Sequence, residues 1–144
     1  MVNFEFQNTT KIYFGKDAEK GIREKVKKYG YKVLLHYGGG SIKKNRVYQK
    51  IMEELQKNEI QVWELGGGSA IDSDKGIAVG VPYEGDVWDF YEGISLPKKK
   101  LPLGVVLTLP ATGSESGYSS VVTKEEGMLN APWTMTFYIR TLLF

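Results

Sequence analysis

The sequence predicts an α/β fold built on a parallel sheet, and three features carry that expectation. Apolar runs of strand length alternate with segments of helical periodicity. Two of the runs end in Gly-Gly-Gly-Ser, at residues 38–41 and 66–69, and a helical pattern follows each. Val33-Leu34-Leu35 is continuous rather than alternating, as expected of a parallel strand covered by helices on both faces.

The elements follow in chain order. Phe4 and Phe6, then Ile12, Tyr13 and Phe14, flank the polar Asn8-Thr9-Thr10 and read as two short strands joined by a turn, with Gly15 ending the second. Asp17 stands where it would cap a helix in which Ala18, Ile22 and Val26 recur at i, i+4 and i+8, and Gly30 is its stop. The strand at 33–35 runs into the first glycine turn. Beyond it Val47, Tyr48, Ile51, Met52 and Leu55 make one apolar stripe between lysines. Asn58 closes that helix, and residues 60–65 alternate as the next strand.

The second glycine turn opens a helix with Ala70, Ile71, Ile77, Ala78 and Val81 on its buried face. Ser69 and Asp72 have capping-box spacing at its start, and Pro82 and Gly85 end it. Residues 86–91 read as a short aromatic helical turn, and Tyr83, Trp88, Phe90 and Tyr91 as packing residues around a loop. Residues 97–100 form an exposed loop. A further buried strand is expected at 103–109, stopped by Pro110, then a strand at 118–123 and a partly alternating end from 134 to 144.

Size and composition bound the possibilities. The chain has 144 residues, one ordinary domain, and its 42% hydrophobic and 25% charged residues are those of a folded protein. Nineteen Lys+Arg against 17 Asp+Glu leave a net charge of +2, too balanced to favour nucleic acid or an anionic membrane. Any anion site must therefore be local. With no cysteine there is neither a disulfide nor a thiolate metal site. No N-terminal apolar signal region is present, so residence in the cytoplasm is expected. No apolar run approaches the roughly 20 residues of a membrane span.

A bare Gly-Gly-Gly-Ser is also a common linker. Between a strand and a helix, however, it leaves backbone N–H groups free at the positive end of the helix dipole and lets a phosphate approach closely. Neither turn has the Lys-Ser/Thr pair of a Walker loop, and neither is G-x-G-x-x-G. The loop 108–115 lies past a strand end, on the edge where α/β sheets bind ligands, and reads equally as a hydroxyl-capped turn. His36, the sole histidine, has no histidine or cysteine partner and reads as structural. Asp72, Asp74 and Asp89 are too scattered for a ligand set. No catalytic residue and no metal ligand is assigned.

Together these stretches resemble the iron-containing (group III) alcohol dehydrogenases, in their butanol dehydrogenase-like branch. The likeness runs through residues 6–15, 32–43, 66–72, 80–90 and 108–115 and covers most of 4–125 in the family's order. It implies an N-terminal Rossmann-like cofactor domain, over residues 1–126, of an NAD(P)-dependent oxidoreductase interconverting primary alcohols and aldehydes. By the same resemblance Gly39, Gly40 and Ser41 would meet the adenosine ribose, Gly68, Ser69 and Asp72 the pyrophosphate, and Thr108, Thr112 and Ser114 the nicotinamide side. No acid follows the first strand to hold a ribose 2′-OH, and Lys43 and Lys44 lie close by, which favours NADP over NAD. The implied partners are the dinucleotide and a small alcohol or aldehyde, and a homodimer is compatible.

Two departures qualify the resemblance. In similar proteins a further helix and strand precede the GGGSAID turn, whereas here Leu65 runs straight into it. Roughly one 30-residue β–α unit is missing, so a narrower sheet or altered strand neighbours are expected. After Glu126 the chain leaves the family pattern, as a divergent tail over 127–144. The helical half that supplies one Asp and three His to iron or zinc has no counterpart, which marks the chain as truncated. Without that Lewis acid, catalysis by this chain alone is not expected. The alternative is a non-catalytic dinucleotide-binding module or gene remnant. A flavodoxin-like module for another phosphate ligand is a third reading.

Overall fold

The computed structural model describes residues 10–44, 46–57, 59–67, 70–108 and 112–123, together with the strand backbone at Pro132–Thr136 and Thr141–Leu143. The strand expected around Phe4 and Phe6, the helix stop at Asn58 and the end of the 103–109 segment lie outside the described residues. The elements are β1 (Lys11–Ile12), a 3-10 turn (Ala18–Gly21) running into α1 (Ile22–Val26), β2 (Lys32–Tyr37), α2 (Ser41–Lys44), α3 (Arg46–Gln56), β3 (Gln61–Gly66), α4 (Ala70–Gly80), α5 (Trp88–Tyr91), β4 (Leu103–Val105), β5 (Ser119–Thr123), β6 (Pro132–Thr136) and β7 (Thr141–Leu143).

The fold is α/β with Rossmann-like strand–turn–helix units, as the sequence predicts. β2 and β3 pair in parallel from Lys32 opposite Gln61 to Tyr37 opposite Gly66. β7 lies parallel between β1 and β4, and β5 and β6 form a separate antiparallel pair. Because side chains alternate along a strand, the two faces of β2 meet different helices. Val33 and Leu35 pack with Ile22 of α1 and Ile51 and Leu55 of α3, while His36 turns to Asp74 of α4. Helices thus cover both faces, as the continuous apolar run requires.

Ile51 and Leu55 are 3% and 1% exposed, so the predicted stripe of α3 buries its C-terminal half. Each such side chain contributes about 1.5–3 kcal/mol of burial. Gly30, at φ 145°, ends the α1 segment with its N–H on the Val26 carbonyl. The aromatic turn packs as expected: Phe90 and Tyr91 are buried with Ala78, Val79, Leu103 and Val105, and Tyr83 and Trp88 lean on that cluster.

Three local expectations are corrected. Asp17 does not cap a helix: it is left-handed at φ 61°, which turns its carboxylate away from the following N–H groups and onto Lys20 and Lys50. The helix expected from Ala18 is a 3-10 turn before a five-residue α segment. The strand expected at 103–109 is regular over Leu103–Val105, the residues that pair with β7.

The sheet is also interrupted. Among the described residues β2 has a strand neighbour only in β3, and β4 only in β7. Between them lies an apolar cavity of about 650 Å³, bordered by both strands. The core divides along the same line, one cluster around Ile22, Ile51, Leu55 and Ile60 and another around Ala78, Val79, Phe90, Tyr91, Leu103 and Val105.

Candidate functional site

The glycine turn after β2 opens at the mouth of this cavity. Gly39 and Ser41 line it together with Thr108, which follows β4. A methyl group placed on Gly39 or Gly40 would meet nothing within 4 Å, so the main chain there is open to a ligand of some size. Gly40 and Thr112 are exposed and do not line the cavity. Gly68 and Ser69 lie outside the described residues.

A second group of the implied residues is held together by a hydrogen-bond network. Ser114 Oγ donates to Asp72 Oδ1 at 2.5 Å, and Lys75 Nζ donates to Ser114 Oγ at 2.9 Å and to the Ser119 carbonyl at 2.6 Å. Lys75 also stands 3.5 Å from Asp72 Oδ1 as an ion pair, its side chain 1% exposed. Burial pushes the Lys75 ammonium below its ordinary range, and Asp72 opposes that shift. Ser120 Oγ donates to the Asp72 carbonyl, so the Tyr91 hydroxyl must be the donor in its 2.9 Å contact with Ser120. The loop around Ser114 is thereby fastened to the first turns of α4.

The carboxylate of Asp72 is held by Ser114 and Lys75; the capping box expected with Ser69 lies outside the described residues. Lys75 carried no sequence expectation. Its signal was a lysine three residues after Asp72, where i and i+3 share a helix face, within an otherwise apolar stripe.

His36 links the two glycine turns. Its Nδ1 lies 2.9 Å from Asp74 Oδ1 and its Nε2 lies 2.8 Å from the carbonyl of Gly67, with the side chain 4% exposed. Gly67 sits at φ 114°, a conformation that suits glycine and aims its carbonyl at the ring. Burial raises the Asp74 carboxyl above the usual carboxylate range, and the His36 contact opposes it.

Glu64 is the second residue that sequence reasoning missed. It accepts hydrogen bonds from the hydroxyls of Tyr37 at 3.1 Å and Tyr48 at 2.9 Å, and Lys43 Nζ stands 3.5 Å away. Those hydrogen bonds, Tyr48 first, hold the Glu64 carboxyl below its usual range. Lys43 also lies over the rings of Tyr37 and Tyr48, at 5.2 and 5.3 Å. The lysine read as available for a 2′-phosphate therefore has a carboxylate neighbour, contributed by β3 rather than by the segment just after β2.

Among the described residues no group of three or more His, Asp or Glu is close enough to hold a metal. The whole sequence has one histidine, and both its ring nitrogens are bonded. These residues do not fit the iron or zinc centre that the resemblance implies. Among them, too, no helix is long and apolar enough to cross a membrane.

Parallel strands ending in glycine turns, with helices on both faces, define a Rossmann-like α/β domain of the kind found in dehydrogenases. The chain belongs to the iron-containing alcohol dehydrogenase family, whose model matches residues 64–136. It is 39% identical to the probable NADH-dependent butanol dehydrogenase 1 of Bacillus subtilis and 38% identical to NADH-dependent butanol dehydrogenase A of Clostridium acetobutylicum, over 92% and 88% of this chain. Against the solved structure of NADH-dependent butanol dehydrogenase A from Thermotoga maritima the TM-score is 0.87 at 34% identity, over 99% of this chain.

The chain spans 42% of the length of the Bacillus relative, 40% of the Clostridium relative and 44% of the Thermotoga structure. The Bacillus alignment runs over 163 residues yet takes in 92% of a 144-residue chain, about 132 residues. About 30 residues of that relative, the difference, thus face gaps here. This matches the β–α unit found wanting in the sequence.

Proposed function

We propose that this chain binds a nicotinamide dinucleotide across the cleft above β2 and β4 and is derived from a butanol dehydrogenase-type oxidoreductase. The observation that carries the reading is the shared cavity mouth. Gly39 and Ser41 after β2 and Thr108 after β4 open on one space, where α/β sheets bind ligands. In this reading Gly39, Gly40 and Ser41 receive the adenosine ribose, Gly68, Ser69 and Asp72 the pyrophosphate, and Thr108, Thr112 and Ser114 the nicotinamide side, all within a cofactor domain over residues 1–126. Ser114 and Asp72 are bonded to each other directly and share Lys75.

Glu64 decides the cofactor's ribose. It stands near the end of β3, the strand beside β2, about 20 residues past the first glycine turn, the spacing at which an acid takes a ribose 2′-OH in such folds. Its charge repels a 2′-phosphate and occupies Lys43, so NADH binds at least as well as NADPH. The substrates of the parent activity are a primary alcohol and its aldehyde. Among the described residues no donor set would hold a Lewis acid for them, and the reading is a dinucleotide-binding module without turnover of its own.

Titration of the purified chain with NADH and NADPH, followed by nicotinamide fluorescence, tests this. Saturable binding of NADH is expected, with Glu64→Gln shifting preference several-fold toward NADPH. Absence of binding of either dinucleotide at millimolar concentration overturns the proposal. Assayed with butanal, NADH and Fe²⁺ or Zn²⁺, the chain is expected to give no turnover above the metal-free blank.

A further inference from the structure

We infer that the gap between β2 and β4 is a receptor for one extended apolar strand supplied in trans, the β–α segment that this chain lacks relative to its family. The strand would lie along the edges of β2 and β4 that border the cavity, whose mouth carries the first glycine turn. Its two side walls are strand edges. Among the described residues β2 is paired on one side only, by β3, and β4 on one side only, by β7. An open edge presents N–H and C=O groups that need partners, and here two such edges border the same cavity.

The other two walls are apolar. Ile22 and Ile51 line the cavity from the α1 and α3 side, and Ile71 and Ile77 line it from α4. An occupant must therefore be apolar on both faces and must satisfy hydrogen bonds along both edges. An extended strand of the kind found inside parallel sheets meets both demands. An amphipathic helix meets neither, because its backbone groups are bonded internally.

The family relatives carry extra chain of the right length for such a strand. About 30 residues of the Bacillus subtilis relative face gaps in this chain, by the alignment lengths above. That is the length of one strand with its crossover helix. The volume of about 650 Å³ is accordingly room left by a missing strand, and adding a strand to an exposed edge is an established mode of recognition.

The probe is a fluorescein-labelled peptide copying the segment of the Bacillus relative that faces the gap, titrated with the full chain and read by anisotropy. Saturable binding is expected, and amides of residues 32–37 and 103–105 should exchange at least about tenfold more slowly in the complex. Leu34→Lys, at a half-exposed position lining the cavity, should weaken peptide binding about tenfold or more. The melting temperature of the free variant should stay close to the parent's. No binding, equal binding of a scrambled peptide, or protection that spares both strands overturns the proposal. A chain that sediments as a dimer with those amides already protected overturns it too, because a second copy then fills the gap.

Discussion

Both ring nitrogens of His36 are committed to partners. A carbonyl cannot donate, so the 2.8 Å contact with Gly67 fixes a hydrogen on Nε2. With Nε2 carrying the hydrogen, Nδ1 accepts, and the 2.9 Å contact is made when the Asp74 carboxyl has a proton to donate. Burial makes the same demand by raising the Asp74 carboxyl from its ordinary value of 3.8. The folded chain keeps a proton there that the unfolded chain releases, so Asp74's contribution is fully present below the ordinary value and is lost as pH rises through the folded one. Asp74→Asn, whose amide can donate to Nδ1, should flatten the fall in melting temperature as pH rises above the ordinary carboxylate value. An unchanged slope would refute the assignment. The structural reading of His36 was available from its place at a strand end; its partner, 38 residues further on, was not. Glu64 escaped notice for a related reason, since strand pairing rather than sequence proximity brings it beside Lys43.

Helix α4 shows what an apolar stripe conceals. Its pattern of Ala70, Ile71, Ile77 and Ala78 was legible, but Val81, expected on the same buried face, lies just past the helix end at Gly80 and is 66% exposed. Lys75 on the buried side was not, because burial of a lysine depends on acceptors from β5 and the Ser114 loop, which no helical periodicity records. At 0% exposure the ammonium is tolerable only because it bonds Ser114 and the Ser119 carbonyl and faces Asp72. Removing one partner of such a buried pair leaves the others uncompensated. Lys75→Ala should cost about 3–5 kcal/mol in urea unfolding. Lys75→Met keeps the bulk and loses the hydrogen bonds, for about 1–3 kcal/mol. If the alanine variant unfolds at the parent's midpoint with the same m-value, the network does not support the fold.

At the scale of the molecule, a parallel sheet ordinarily carries one continuous core, and here the core is in two parts. The cluster of α1, α3, β2 and β3 and the cluster of α4, α5 and β4 meet along the border of the cavity between β2 and β4. The sequence signalled the cause, a strand running straight into the GGGSAID turn, but not its consequence. Which neighbours lose a strand depends on sheet order, and sheet order is not written in local periodicity. Cooperativity comes from packing shared between elements, so the two clusters should open at different free energies. Native-state hydrogen exchange should resolve them as separate groups, with amides of 32–37 and 61–66 in one and those of helix α4 in the other. Restoring the gap segment of the Bacillus relative between β3 and the following glycine turn should place a strand across the cavity and merge the groups into a single transition with a higher midpoint. Identical opening energies for the two groups in the parent chain would show that the interrupted sheet already unfolds as one unit.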